Sequence, residues 1–407
     1  MEDLVIIGGG PAGIMAAIAA SGNDNKIILI DKNPSLGKKI LASGNGKCNI
    51  TNSELNTEKY CGDKEFLKKV FAVFDNKSLI SFFEERGVML KTEGFGRVLP
   101  VTETSASVLD CLSDELALNN IAVRYAEQVM EVSKNENGFT VKTGRSTYET
   151  KNLLITAGSC AYPQLGGSFD GYTFAKKLGH TIIPLRPAIV PLELSGNWFH
   201  KLQGVRVEAE LRIITKKETV KYSGELLFTK YGLSGPVALD ASLKTIDGAA
   251  NKADIFINFF PLYKDFFAGK LKAAWDFRPE KTVFTFLSGF LPKKIALVLL
   301  PLLGVELSKK CKELTVQERE NIINSLAKWP VTVKGARSYK EAMAAAGGVS
   351  TEEIDPETME SKIIPGLYFA GEVIDITGES GGYNMQFAFS SGYIAGKALK
   401  AAGKKGR

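Results

Sequence analysis

An α/β fold with a parallel sheet at its centre, interrupted by an inserted β-barrel and a small helical subdomain, is the class the sequence predicts. Three observations carry that expectation. The chain opens on an apolar run, Leu4–Ile7, that passes into Gly8-Gly9-Gly10-Pro11-Ala12-Gly13 and then into the helical stretch Ile14–Ala20. Apolar strands recur at Lys26–Asp31, Leu153–Gly158 and Gly366–Gly371, far apart in the chain. Between Pro191 and Pro261 the pattern changes to alternation, as in Val205–Ile213, Thr219–Tyr222 and Asp254–Phe260, and from 263 to about 327 it becomes helical.

The first element is a strand, a G-x-G-x-x-G turn and a helix. Gly8 permits the tight turn, Gly10 lets the backbone approach a pyrophosphate, and Gly13 allows the helix to lie close on the strand; Pro11 and Ala12 belong to the same phosphate-facing turn. The helix N-terminus then faces the phosphates. The second strand ends in Asp31, 18 residues past Gly13, where a carboxylate accepts from a ribose hydroxyl, and Lys32 follows it. Val129 is counted with these cofactor-facing residues.

The far end of the chain selects the dinucleotide. Gly366–Glu372 is an apolar strand ending in Gly371-Glu372, followed by Gly381-Gly382-Tyr383-Asn384-Met385. A nicotinamide dinucleotide is served by one contiguous unit, whereas FAD in a glutathione-reductase-type, Rossmann-like domain also needs a late acidic strand end and a terminal helix aimed at the flavin pyrimidine. Asn384 is expected to cap that helix, Met385–Ala401, with Phe387, Phe389, Ile394 and Leu399 on its apolar positions. Its positive end would stabilise a reduced, anionic flavin. The middle strand ends in Ala157-Gly158, as such a domain requires.

The expected layout is a first FAD-binding part over 1–187, the β-barrel over 188–262, the helical subdomain over 263–327, a return strand over 328–336, within Pro330–Lys334, and a second FAD-binding part over 337–407. Helices are expected at Glu65–Gly87 and Ser105–Asn119. The 407 residues carry a net charge of +6, which suits anionic ligands, but the basic residues are dispersed among acids, so no nucleic-acid partner is expected. Residues 4–23 are uncharged, yet Glu2 and Asp3 argue against a signal peptide and Gly8–Pro11 against a continuous span, so no membrane partner and a cytoplasmic location are expected. Five cysteines without a C-x-x-C pair fit a reducing compartment, and two histidines make a metal site unlikely to be built; none is assigned.

Three long segments, Gly37–Asn52, Gly224–Pro236 and Thr358–Glu372, resemble signatures of the BaiN/YhiN-type flavoproteins, a group that includes aminoacetone oxidase and a bile-acid enone reductase. The resemblance spans essentially the whole chain. It implies an FAD domain interrupted by a β-barrel with a small helical subdomain, bound FAD and a redox reaction. The chain departs from the group's pattern in four places: Asn45 replaces a glycine, Lys47 an arginine, Lys230 a frequent histidine, and Gly158-Ser159 a Gly-Gly pair. Lysine does not reproduce a bidentate arginine fork.

The loop Ser43-Gly44-Asn45-Gly46-Lys47-Cys48-Asn49, with Lys38 before it, is placed along the pyrophosphate towards the isoalloxazine, because its glycines let main-chain N–H groups line an anion path. Lys47 stands either near flavin N5, assisting transfer, or in solvent. Cys48 reads as a small buried thiol rather than a redox partner. Lys230, Tyr231 and Ser234 either close the substrate side or form a plain turn. Lys47 and Lys230 are the two candidate catalytic residues. The expected activity is hydride transfer at flavin N5 with an unidentified small molecule, as an amine oxidase or as an NAD(P)H-dependent enone reductase. No second G-x-G-x-x-G follows a strand in 188–407, so NAD(P)H would be a transient reductant. The alternative is an FAD-bound, nucleic-acid-associated protein of the tRNA-modification kind.

Overall fold

The computed structural model describes residues 1–22, 25–215, 218–245, 253–261 and 264–405. These fall into two compact units, Met1–Pro187 with Met343–Arg407, and Ala188–Ala342.

In the first unit the strand Glu2–Ile7 lies at the middle of a seven-stranded sheet, parallel to Ile27–Ile30 on one side and to Thr147–Ile155 on the other. Leu4–Ile7 and Ile27–Ile30 are buried at every position, as parallel strands covered on both faces must be. Ala122–Arg124 extends the parallel side. Thr147–Ile155 is shared: its first half pairs antiparallel with Gly138–Thr143, which pairs with Val129–Asn135, while Leu153–Ile155 run parallel to Leu367–Phe369. The late strand is thereby seated two places from the first one.

Two helices cover the opening strand. The first, Pro11–Ala20, starts with proline at a position where its missing N–H is no loss. The terminal helix, Tyr383–Lys405, packs against it with almost no side chain between them: a Cβ on Gly392 would lie 2.3 Å from the Ala12 carbonyl oxygen, and one on Gly396 2.4 Å from that of Ala16. Phe387, Phe389, Ile394 and Leu399 are buried.

The helix expected over Glu65–Gly87 is two helices, Lys64–Val73 and Asn76–Glu84. Asp63 accepts from the N–H groups of Glu65 and Phe66, and Asp75 from that of Ser78, so a second cap restarts the chain in a new direction. The continuous apolar periodicity concealed that cap.

The second unit holds a seven-stranded antiparallel sheet in the order Trp329–Val331, Asp254–Asn258, Arg206–Ile214, Thr219–Phe228, Gly232–Ser234, Leu192–Leu194, Val333–Ala336. The segment expected as one return strand is therefore two strands at opposite ends of the sheet, separated by Thr332 alone, so the sheet curls until its ends meet through the chain. Helices at Pro236–Thr245, Lys264–Phe277, Val283–Leu287, Lys293–Leu302 and Val316–Ala327 accompany it. Trp198 stacks on Trp329 with centroids 4.9 Å apart, and Trp275 is fully buried in the same core. The unit ends at Ala342 and not before Arg337: the Arg337 guanidinium bonds Glu193 and Glu341, each at 2.8 Å, which keeps it in the inserted unit. The expected boundary at 262/263 and the last two residues of 337–407 lie outside the described residues.

A buried polar relay braces the late strand of the first unit. His180 Nδ1 meets Glu353 at 3.1 Å, its Nε2 meets the Ser361 hydroxyl at 2.9 Å, and its ring stands edge-on to Phe369. Ser361 also accepts from the N–H groups of Ile363 and Ile364, so its oxygen is committed to the turn and is no nucleophile. Burial pushes the His180 pKa below its ordinary 6.5, against the opposing pull of Glu353. Between the two values the unfolded chain binds the extra proton, so stability is complete above about pH 6.5 and is lost as pH falls through the folded value. Urea unfolding across that window shows a loss in the wild type that His180→Gln flattens; parallel profiles contradict the assignment. Gly392→Ala, which places a methyl against the Ala12 carbonyl, costs about 1–3 kcal/mol, read as a lower Tm at unchanged fold; an unchanged Tm contradicts the close helix contact.

Candidate functional site

The first helix owes its position to glycine chemistry. Gly8 has φ +112, and a Cβ there would lie 2.4 Å from the Thr156 carbonyl oxygen; at Gly13 it would lie 1.9 Å from that of Gly8. The Thr156 hydroxyl donates towards the carbonyls of Ile7 and Gly8, fastening the turn to the middle strand. Gly10 differs, since a Cβ there meets nothing within 4 Å: its face is open. The Ile14 N–H makes the first intrahelical bond, to Gly10, so the N–H groups of Ala12 and Gly13 precede it and are available to an anion.

Beside this turn is a small open cleft lined by Gly8, Asp31, Lys32, Val129 and Ala157. Five residues chosen from distant segments thus share one wall. Asn33, Glu127 and Gly166 line it as well and were not singled out from sequence. The Asp31 carboxylate is oriented rather than free: Oδ2 accepts from Gly9 N–H and Oδ1 from Asn33 N–H, both at 2.7 Å. Gly9, the middle glycine, therefore orients the acid, and each oxygen keeps a lone pair for a hydroxyl. Lys32 reaches Asp170 at 3.5 Å on the cleft rim.

A second cluster continues from the helix start. A Cβ on Gly371 would lie 2.8 Å from the Cβ of Ala12, and its N–H donates to Ser391 on the terminal helix. The next residue, Glu372, is held by Lys39 at 2.6 Å and by the Ser159 hydroxyl at 3.1 Å, while Lys39 also donates to Ser159. Lys39, not Lys38, is the lysine of this segment that meets the acid; Lys38 opens the short helix Lys38–Ala42 one residue earlier and is half-buried. Ser159, the departure from a Gly-Gly pair, is a fully buried member of that ion pair.

In the loop, Gly44 and Asn45 both adopt left-handed backbone, with φ 58 and 54, followed by Gly46 at 87 and Cys48 at 62. Asparagine visits that region more readily than any β-branched or bulky residue, which is why Asn45 is accommodated there. Ser43 accepts the Cys48 N–H through its carbonyl, closing the turn. Cys48 is fully buried and burial pushes its thiol up to about 11, so at neutral pH it is protonated and no thiolate partner for a flavin. Asn49 abuts Gly44 and is half-buried.

Lys47 is engaged by a carboxylate. Its ammonium pairs with Glu103 at 2.6 Å, half-exposed, and Lys47 with Lys91 holds the Glu103 carboxyl down to about 2. Lys230 is exposed on the turn between Thr219–Phe228 and Gly232–Ser234 of the inserted unit. Beside it, Tyr231 packs under the Arg337 guanidinium at 4.7 Å.

The terminal helix starts at Tyr383 and Gln386 N–H makes its first internal bond, to Gly382, so N–H groups of Tyr383, Asn384 and Met385 precede it. Asn384 is not its cap. Its side chain turns back to clamp Gly378, accepting from that N–H and donating to that carbonyl, both at 2.8 Å. The Tyr383 ring is buried, with its hydroxyl on the Glu54 carbonyl. These two residues offer the site their backbone only. Gly381 and Gly382, at φ 99 and 107, take the cap position, and a Cβ on Gly382 would lie 2.3 Å from the Thr51 carbonyl oxygen. The Thr51 hydroxyl bonds Gln386, so the strand leaving the Ser43–Asn49 loop is seated on the helix start.

These features fit FAD: an open glycine face, an oriented carboxylate in the adjoining cleft, and two helix N-termini. Asp31→Ala removes acceptors worth roughly 1.5–3 kcal/mol, so FAD affinity falls about 10- to 100-fold in equilibrium titration of the apoprotein; unchanged affinity removes Asp31 from the site. Lys47→Ala leaves FAD content and the rate of flavin reduction at wild-type values, and a large loss in either contradicts its placement on the surface.

Comparison with known proteins agrees with this geometry. The profile of a family described as HI0933-like protein Rossmann domain matches residues 2–398. The chain is 32% identical to a 3-dehydro-bile acid delta(4,6)-reductase of Clostridium scindens, over 98% of this chain and 99% of that one. It is also 32% identical to a ribosomal RNA dihydrouridine synthase of Escherichia coli, over 98% of both. Among solved structures, the E. coli quinol fumarate reductase subunit FrdA superposes with TM-score 0.51 at 13% identity, over 100% of this chain and 71% of that one. The 3-ketosteroid delta1-dehydrogenase of Sterolibacterium denitrificans does so with TM-score 0.50 at 10% identity, over 98% and 99%. At such identities the two structures speak for the fold alone.

Proposed function

Because this chain belongs to the HI0933-like Rossmann family and is an FAD-dependent oxidoreductase, we propose that it reduces a carbon–carbon double bond conjugated to a carbonyl. The observation that carries this reading is the placement of the terminal helix's start at Gly381–Gly382, in the same unit as the cleft beside Asp31. Bound FAD in its reduced form would supply hydride chemistry for the β-carbon of such a bond, with solvent supplying the proton to the α-carbon. The chain's own part is to bind and orient: Asp31 would hold the ribose, the Ala12 and Gly13 N–H groups the pyrophosphate, and the Asn384 and Met385 N–H groups the pyrimidine, where charge gathers on reduction. The cofactor-facing residues of the Ser43–Asn49 loop line the path between them. NAD(P)H is the proposed reductant, bound transiently since no second nucleotide-binding turn is evident.

The names of the two full-length relatives support this choice of reaction. A delta(4,6)-reductase and a dihydrouridine synthase both add hydrogen across a ring double bond conjugated to a carbonyl. Cyclic-enone reduction of a small molecule is the first reading.

The second reading makes the ring a uracil in RNA, and a specific observation favours it. Residues 188–342 carry 24 lysines and arginines against 16 acids, whereas the rest of the chain carries 27 against 29. Positive charge is thus segregated into the inserted unit, not dispersed, and the expectation of no nucleic-acid partner is not supported. A polyanion is the partner such an excess attracts.

The test is anaerobic incubation of the holoenzyme and NADPH or NADH with a steroid 3-oxo-4,6-diene or with ribosomal RNA from a strain lacking the gene. Nicotinamide oxidation with a saturated steroid supports the first reading. Dihydrouridine formation that weakens steeply with salt supports the second. Oxidation of a small amine with oxygen consumption, and reduction of neither probe, contradicts both.

A further inference from the structure

Asn52, 2% exposed, uses one side-chain nitrogen to tie two turns together. Its Nδ2 donates to the carbonyls of Phe95 and Gly381, both at 3.0 Å, while its Oδ1 accepts from Glu54 N–H. Asn76 in turn holds the Asn52 carbonyl. The Gly94–Gly96 turn is therefore anchored beside the Gly381–Gly382 turn.

What that anchoring displays is unusual. Phe95 sits at φ +62, a left-handed conformation that a bulky aromatic residue rarely adopts and that persists only where surroundings impose it. Glycines flank it, and a Cβ on Gly96 would lie 2.4 Å from Asn52 Oδ1, so the turn has no freedom to relax. Yet the Phe95 side chain is 83% exposed. Burial does not repay the strain, and asparagine or glycine would take this backbone readily. Arg97 follows: its Nε donates to the Gly94 carbonyl at 3.1 Å, and its Cγ would lie 3.9 Å from a Cβ on Gly381.

We propose that Phe95 forms an aromatic wall on the substrate side of the flavin, against which a planar conjugated ring packs, with Arg97 at the edge of that ring. The proposal rests on the reading of Gly381–Gly382 as the turn that faces the flavin pyrimidine. A flat unsaturated ring offers its face to an aromatic side chain with offset or edge-on geometry, and the wall selects for flatness rather than for a pattern of hydrogen bonds. It would therefore accept a steroid oxo-diene ring or a uracil alike. A guanidinium at the edge suits a ring carbonyl, since it can only donate.

Two measurements on the holoenzyme test it. Phe95→Trp adds a tryptophan far in sequence from Trp198, Trp275 and Trp329, which all belong to the inserted unit. The added emission, taken as the difference from wild type, is expected to be strongly quenched with FAD bound and to recover when FAD is removed. Equal emission in both states places Phe95 away from the flavin and overturns the proposal. In steady-state assays with the steroid 3-oxo-4,6-diene and with ribosomal RNA, Phe95→Ala is expected to raise KM about tenfold for the probe that wild type reduces, with kcat and FAD content near wild type and with Phe95→Tyr restoring KM. An unchanged KM overturns the proposal alone, leaving the reductase reading intact. A wild type inert towards both probes overturns the reductase reading, and the ring-packing role with it.

Discussion

The close approach of the first and terminal helices is the constraint on which the rest of the cofactor-binding unit depends. Gly392 and Gly396 remove side chains where the helices cross, so backbone lies against backbone at Ala12 and Ala16. That contact joins the two ends of a 407-residue chain. It also fixes where both helices begin: Gly10–Gly13 beside the nucleotide cleft, and Gly381–Gly382 on Thr51. Dipoles act over about one turn, so a helix end displaced by a few ångströms would lose its electrostatic purpose. Packing in this fold sets the electrostatics.

Around that crossing the chain repeatedly uses one residue to join distant segments. Thr156 ties the glycine turn to the middle strand, Glu372 gathers Lys39 and Ser159, and Asn52 joins two turns. Each of these side chains is buried or nearly so and engaged in hydrogen bonds, which is the condition under which polar groups stabilise a core instead of weakening it. The inserted unit has a separate core, mostly of leucine, isoleucine, valine and alanine with a cluster of aromatic rings, and holds the positive charge that the cofactor-binding unit lacks.

What was legible in the sequence was mostly backbone geometry. Gly8 and Gly13 announce their roles because no side chain fits at either, and Asp31 follows at a spacing set by strand and helix lengths. Side-chain partnerships were not legible. Asn384 has the composition of a cap, but its amide is recruited by Gly378, which returns to it through a tight turn. Lys38 and Lys39 are indistinguishable in sequence, and only the direction of a short helix sends Lys39 to Glu372. Asp75 was hidden inside an apolar period that continues across it, and Asn33 and Phe95 carry no motif at all. The whole-chain charge concealed its own segregation, because the units overlap in sequence order and only the fold separates them.

The central claim is that the N-terminus of the terminal helix faces the flavin pyrimidine. Nitrogen-15 NMR of the reduced holoenzyme, carrying FAD labelled at N1, tests it most directly at a mildly acid pH where free reduced flavin is protonated. The account predicts an anionic N1, because a helix N-terminus stabilises negative charge placed on it. A protonated N1, with FAD fully bound, would contradict it.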